Sequence, residues 1–112
     1  MMRYRPVTTD SNLEPLTIEL TRDGQLVPLD GASGSITIKD QRTGNVLVDA
    51  EPVQITDPGK ASYVLPRALV QKIAREGTWL VEWYIETSSG DLAWRSEPIE
   101  LPVRAKVSSR LT

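Results

Sequence analysis

The eleven residues from Gly77 to Thr87, Gly-Thr-Trp-Leu-Val-Glu-Trp-Tyr-Ile-Glu-Thr, constrain the fold more than any other part of the chain. Trp79, Val81, Trp83 and Ile85 share one parity, and Leu80, Glu82, Tyr84 and Glu86 share the other. That is the period-two pattern of a strand with one buried face. Two of the three tryptophans therefore face the same way, in a chain without phenylalanine. Aromatic side chains each bury roughly 150–250 Å², so this face is the expected centre of the hydrophobic core.

A chain of 112 residues is long enough for one core without disulfides or metal and too short for two. It has no cysteine and no histidine, which removes disulfides, thiol catalysis, cysteine- or histidine-ligated metals and imidazole acid–base chemistry together. The opening Met-Met-Arg-Tyr-Arg-Pro leads into no apolar run, and no stretch approaches the roughly 20 apolar residues of a membrane span. Neither a secretion signal nor a membrane partner is expected. Net charge is −2, which argues against nucleic acid as the main partner. The distribution is uneven: 1–9 carries Arg3 and Arg5, and 104–112 carries Arg104, Lys106 and Arg110, with no acid in either. The span 10–103 holds all 15 acids and the remaining 8 bases, a net of −7. Basic arms on an acidic body suit contact between subunits, although charged, solvated termini are also commonplace.

In chain order, 1–13 reads as an extended arm with few apolar residues. Leu16, Ile18 and Leu20 give a first strand, Asp23-Gly24 a tight turn, and Val27-Pro28-Leu29 an edge segment, because proline lacks the amide hydrogen a central ladder needs. Asp30-Gly31-Ala32 turns the chain into a second strand with Ile36 and Ile38 inward, where Gly34 marks a close approach or a bulge. After a loop over 40–45 come a strand at Val46–Val48, a short piece with Val53 and Ile55, and a type II turn at Asp57-Pro58-Gly59-Lys60 answered by Ser62–Leu65. From Pro66 the spacing turns helical through Leu69, Val70 and Ile73, with Gly77 suiting a position just past the helix end. The span 66–76 is thus expected to be a short helix crossing between sheets. The loop Ser88–Asp91 then leads to a returning strand with Leu92 and Trp94, a bulge at Pro98, and a last strand through Ile99, Leu101 and Val103. The remainder, 104–112, is a basic tail. The expected architecture is all-β: an antiparallel two-sheet sandwich of about seven strands over 14–103.

Catalytic constellations are not found. Glu82 and Glu86 share a strand face but stand roughly 13 Å apart by strand rise, beyond either glycosidase geometry. Without histidine, serine or threonine nucleophiles have only lysine as a base, and none lies in a motif. Asp30-Gly31-Ala32-Ser33-Gly34-Ser35 lacks the lysine and following helix of a phosphate loop. Asp23, Asp30, Asp57 and Asp91 lack the ligand spacing of a calcium loop. No enzyme activity, cofactor or metal is expected. Tyr63, Tyr84 and Trp94 raise a carbohydrate-stacking reading, against the commoner use of outward aromatics in cores or protein interfaces.

The order of elements resembles small immunoglobulin-like modules of tailed-bacteriophage structural proteins, including the N-terminal domain of phage baseplate upper proteins. The resemblance rests on Asp23-Gly24-Gln25-Leu26-Val27-Pro28-Leu29-Asp30-Gly31-Ala32, on Ile55–Tyr63 with its Asp57-Pro58-Gly59 turn, on Gly77-Thr78-Trp79-Leu80-Val81-Glu82-Trp83, and on Ser89-Gly90-Asp91 with Ser96-Glu97-Pro98. It spans about residues 14 to 103 and consists of turn and core positions. The chain stops soon after this span, whereas baseplate proteins of this kind continue into further domains. The resemblance implies an immunoglobulin-like sandwich and a non-enzymatic virion component of neck, tail or baseplate, made in the bacterial host cytoplasm. Its partners would be copies of itself, as a homo-oligomer, and other phage structural proteins. A head decoration protein and a carbohydrate- or cell-surface-binding module are the alternatives. Candidate assembly contacts are Arg3, Tyr4, Arg5, Tyr84, Trp94, Arg104, Lys106 and Arg110.

Overall fold

In the computed structural model of the chain, the described residues are 4–8, 14–56, 58–88, 90 and 93–105. They form β1 (Val7–Thr8), β2 (Leu16–Glu19), β3 (Thr21–Arg22), β4 (Gln25–Leu26), β5 (Ser33–Asp40), β6 (Val46–Pro52), β7 (Gln54–Thr56), β8 (Lys60–Tyr63), α1 (Arg67–Gln71), β9 (Gly77–Glu86), β10 (Ala93–Arg95) and β11 (Ile99–Arg104). The chain is all-β apart from α1, in more and shorter strand segments than the expected seven.

One sheet runs β1-β11-β9-β5-β6, with β10 also paired to β9; a second runs β2-β8-β7, and β3-β4 is a separate ribbon. All pairs are antiparallel except β1 with β11, which is parallel and departs from the all-antiparallel expectation. β9 is the middle of the larger sheet, and its alternation translates directly into burial. Trp79, Val81, Trp83 and Ile85 are buried, as are Ile36 and Ile38 of β5 and Ile99, Leu101 and Val103 of β11. They share one core with Leu16 and Ile18 of β2 and Ala61 of β8, so both sheets bury a face in the same cluster.

Turn chemistry explains where the chain reverses. Asp23 and Gly24 both hold positive φ, as the ribbon's tight turn requires. Gly34 is a close approach: a Cβ there would lie 2.9 Å from the Tyr84 carbonyl oxygen and 3.0 Å from Val53. The Val53 N–H donates to the Gly34 carbonyl at 3.1 Å just where the chain leaves β6 for the other sheet.

Three expectations are corrected. Val27–Leu29 is not a strand; β4 ends before it, and Leu29 reaches the shared core from a loop. The strand expected at Val46–Val48 runs on through Pro52, with extra residues that shift its pairing to β5. Ala50, at φ 48°, is one of them, and its N–H donates to the Thr37 hydroxyl at 3.2 Å. Pro52 is tolerated because β6 is an edge strand. The crossover helix joins the two sheets as expected but is confined to five residues, Arg67–Gln71, rather than 66–76. Lys72 and Ile73 donate to the carbonyls three residues back, Leu69 and Val70, which tightens and ends the helix while leaving Val70 and Ile73 buried. Gly77 is accordingly the first residue of β9, not a helix cap.

Candidate interaction surface

β10 pairs Arg95 with Tyr84, and β11 pairs Ile99 with Val81. The chain takes four steps on one side and three on the other, so one residue is extra and the expected bulge lies at Ser96–Pro98. Pro98 has no amide hydrogen to lose there. Buried Ser96 holds the bulge against β9: its N–H donates to the Trp83 carbonyl, and its hydroxyl accepts from the Trp83 N–H, both at 2.9 Å.

The bulge sets β10 apart from β11 and opens a groove. Ile18 and Glu19 of β2 line one side, and Trp94 through Ile99 line the other, around a volume of about 540 Å³. Half-buried Trp94 also walls a neighbouring hollow of about 370 Å³ with Leu20, Thr21, Arg22 and Val27. β2 and β10 each have one strand neighbour among the described residues, so the groove runs between two open sheet edges. At its rim, Glu19 stands 3.9 Å from Lys60, an exposed pair, and Glu97 is exposed. Arg95 turns to the outer face, its guanidinium carbon 5.1 Å from the Tyr84 ring centroid.

Tyr4 bridges the two sheets next to these strands. Its N–H donates to the Glu100 carbonyl at 2.8 Å, and its hydroxyl accepts from Trp83 Nε1 at 2.9 Å and donates, at 3.4 Å, to the Thr17 carbonyl. Tyr4 thus ties β9 to β2, and with the pairing of β1 to β11 it holds residues 4–8 on the body. Burial pushes its hydroxyl pKa from 10.0 up to about 12, with the Trp83 bond a smaller opposing influence. A proton held more tightly in the folded state gives stability that is complete below the unfolded value near 10 and is lost as pH rises through about 12. Wild type should therefore lose on the order of 1–2 kcal/mol more than Tyr4→Phe between pH 9 and 12, allowing for partial solvent screening. Parallel urea titrations of the two chains over that range would refute the assignment if their difference stayed constant.

The remaining sequence candidates disperse. Arg5 is exposed ahead of β1, Arg104 is exposed at the end of β11 opposite Thr8, Tyr84 lies half-buried beneath Arg95, and Arg3, Lys106 and Arg110 fall outside the described residues. Only Trp94 lines the groove. Ile18, Pro98 and Ile99 were missed as its partners, because nothing in strand periodicity says which two edges meet. Tyr63 is half-buried against the core rather than outward, and its hydroxyl pKa is raised by burial and then by the Glu51 charge. Among the described residues no group of three acidic, histidine or cysteine side chains is placed to hold a metal ion. No family model matches the chain, and no curated protein matches it.

Proposed function

We propose that this chain is a non-enzymatic structural component of a tailed-phage virion, of the neck, tail or baseplate, acting through protein–protein assembly. We infer with it that the two sheets form an immunoglobulin-like sandwich. The strand order supports that reading: β1-β11-β9-β5-β6 faces β2-β8-β7 across one core, with the first strand parallel to the last. The observation that carries the assembly reading is the apolar groove between two open strand edges, which suits capture of another chain better than chemistry on a small molecule. The phage assignment itself rests on the turn and core motifs of the sequence.

The test is immunogold labelling of purified tailed-phage particles that encode this sequence. Label at the neck, tail or baseplate is expected; particles without label would refute the virion reading, and label on the head would select the decoration alternative. Trp94 beside the groove favours a second reading, a carbohydrate-binding module, whereas Tyr84, covered by Arg95, is poorly placed as a sugar platform. A glycan array without hits, together with tryptophan emission unmoved by sugars, would dispose of it.

A further inference from the structure

We infer that the groove between β2 and β10 receives residues 106–112 of a second copy of this chain as an added β-strand. This rests on the assembly reading and names the surface that carries it.

The groove has the two properties that strand addition requires. Among the described residues β2 and β10 each have a single strand neighbour, Tyr4's long bond to the Thr17 carbonyl aside, and the groove between them has an apolar lining from Ile18, Trp94, Pro98 and Ile99. An incoming strand needs apolar residues at alternate positions for the floor and polar ones outward. Residues 106–112 read Lys-Val-Ser-Ser-Arg-Leu-Thr, in which Val107, Ser109 and Leu111 share one parity and Lys106, Ser108, Arg110 and Thr112 share the other. The apolar pair can enter the groove while both cations stay at its rim. Charge favours the match, because the segment is basic without an acid, Glu19 and Glu97 stand at the rim, and the span 10–103 is net −7. Of the rim's own cations, Arg95 is drawn away over Tyr84, and Lys60 holds Glu19 only in an exposed pair at 3.9 Å, which leaves Glu97 as the main acidic contact.

The donor is a second copy because the chain's own segment leaves from the wrong place. β11 begins at the groove with Ile99 and carries the chain away from it to Arg104. The outer edge of β11 is occupied by β1 at Val103 and Arg104 and by the Tyr4 bond at Glu100, so a return along that edge is blocked. Donor segment and acceptor groove are different surfaces, so the contact either repeats head-to-tail into a ring or filament or closes as a two-fold pair by reciprocal exchange.

The absence of cysteine allows a direct test in the full chain. Pro98→Cys is introduced in one preparation and Ser109→Cys in another, and the two are mixed under mild oxidation. The expected result is a mixed disulfide dimer at least about tenfold more abundant than either homodimer. A mixed dimer at no more than the statistical excess of about twofold over either homodimer would overturn the inference. In a chain carrying both substitutions, a monomeric internal disulfide would overturn it in favour of return in cis. An internal disulfide in a Met2→Cys, Pro98→Cys chain would overturn it by filling the groove with the chain's own residues 1–3. Light scattering on the same samples separates the two levels: oligomers without the mixed disulfide overturn the groove and leave self-assembly standing, whereas monomers without it overturn the groove and self-assembly alike.

Discussion

Replacing Trp83 with alanine is expected to remove about 3–5 kcal/mol of stability, out of a total that for domains of this size is typically about 5–15 kcal/mol. Trp83 is fully buried in β9, paired with Ile36 on one side and hydrogen-bonded to Ser96 on the other. It is the largest of the fully buried side chains, so truncation leaves a void that the flanking strands cannot close without breaking register. The indole N–H is lost as well, and the Tyr4 hydroxyl keeps only the long 3.4 Å bond to Thr17. Trp83→Phe separates these effects, because it retains most of the packing and removes the donor. It should cost about 1–2 kcal/mol, and combination with Tyr4→Phe should recover part of that through a coupling of about 0.5–1.5 kcal/mol. Urea unfolding followed by far-UV circular dichroism reads Trp83→Ala, Trp83→Phe, Tyr4→Phe and the double variant against wild type. If Trp83→Ala lost less than about 1 kcal/mol, Trp83 would not be at the centre of the core. Should the alanine chain fail to fold, the phenylalanine cycle still decides whether Tyr4 is anchored through the indole.

Much of the fold was legible where covalent parity and burial coincide. Leu16, Ile18 and Leu20, the four inward residues of β9, and Ile99, Leu101 and Val103 are all buried, because a regular strand packed on one face cannot do otherwise. Legibility failed where the backbone departs from that period. Extra residues in β6 break its alternation against β5, and α1 stops early because its last carbonyls are taken by tightening i−3 bonds. β1 was unreadable for another reason. Two paired residues carry no periodic signal, and the segment is held by one aromatic anchor whose partners, Trp83, Thr17 and Glu100, are distant in sequence. The same holds for the groove. Trp94 and the Pro98 bulge could be read from composition and turn chemistry, but their meeting with Ile18 is a product of tertiary packing.

Gly59→Ala should cost about 2–4 kcal/mol, combining the left-handed backbone penalty of about 1–2 kcal/mol with a steric one. Gly59 has φ +72°, the positive value its turn demands, and it is buried. An added Cβ would stand 2.9 Å from both the Leu20 carbonyl oxygen and the Leu26 side chain. Neither is free to yield. The Leu20 N–H donates to the Gly59 carbonyl at 2.7 Å, and the Leu20 carbonyl accepts from Val27 at 3.0 Å, so the two segments are locked at the base of the β3–β4 ribbon. Gly24 and Gly44 provide the control: both have positive φ, +80° and +76°, but a Cβ at either meets open space. Alanine there should cost only the backbone part, about 1–2 kcal/mol, and urea midpoints of the three variants isolate the steric part. Equal losses at all three sites would mean that the ribbon does not rest on Gly59. Because Leu20 and Val27 wall the hollow that Trp94 shares, a ribbon displaced by Gly59→Ala should also shift Trp94 emission, whereas the two controls should leave it in place. That difference would tie the turn at Gly59 to the shape of the proposed acceptor groove.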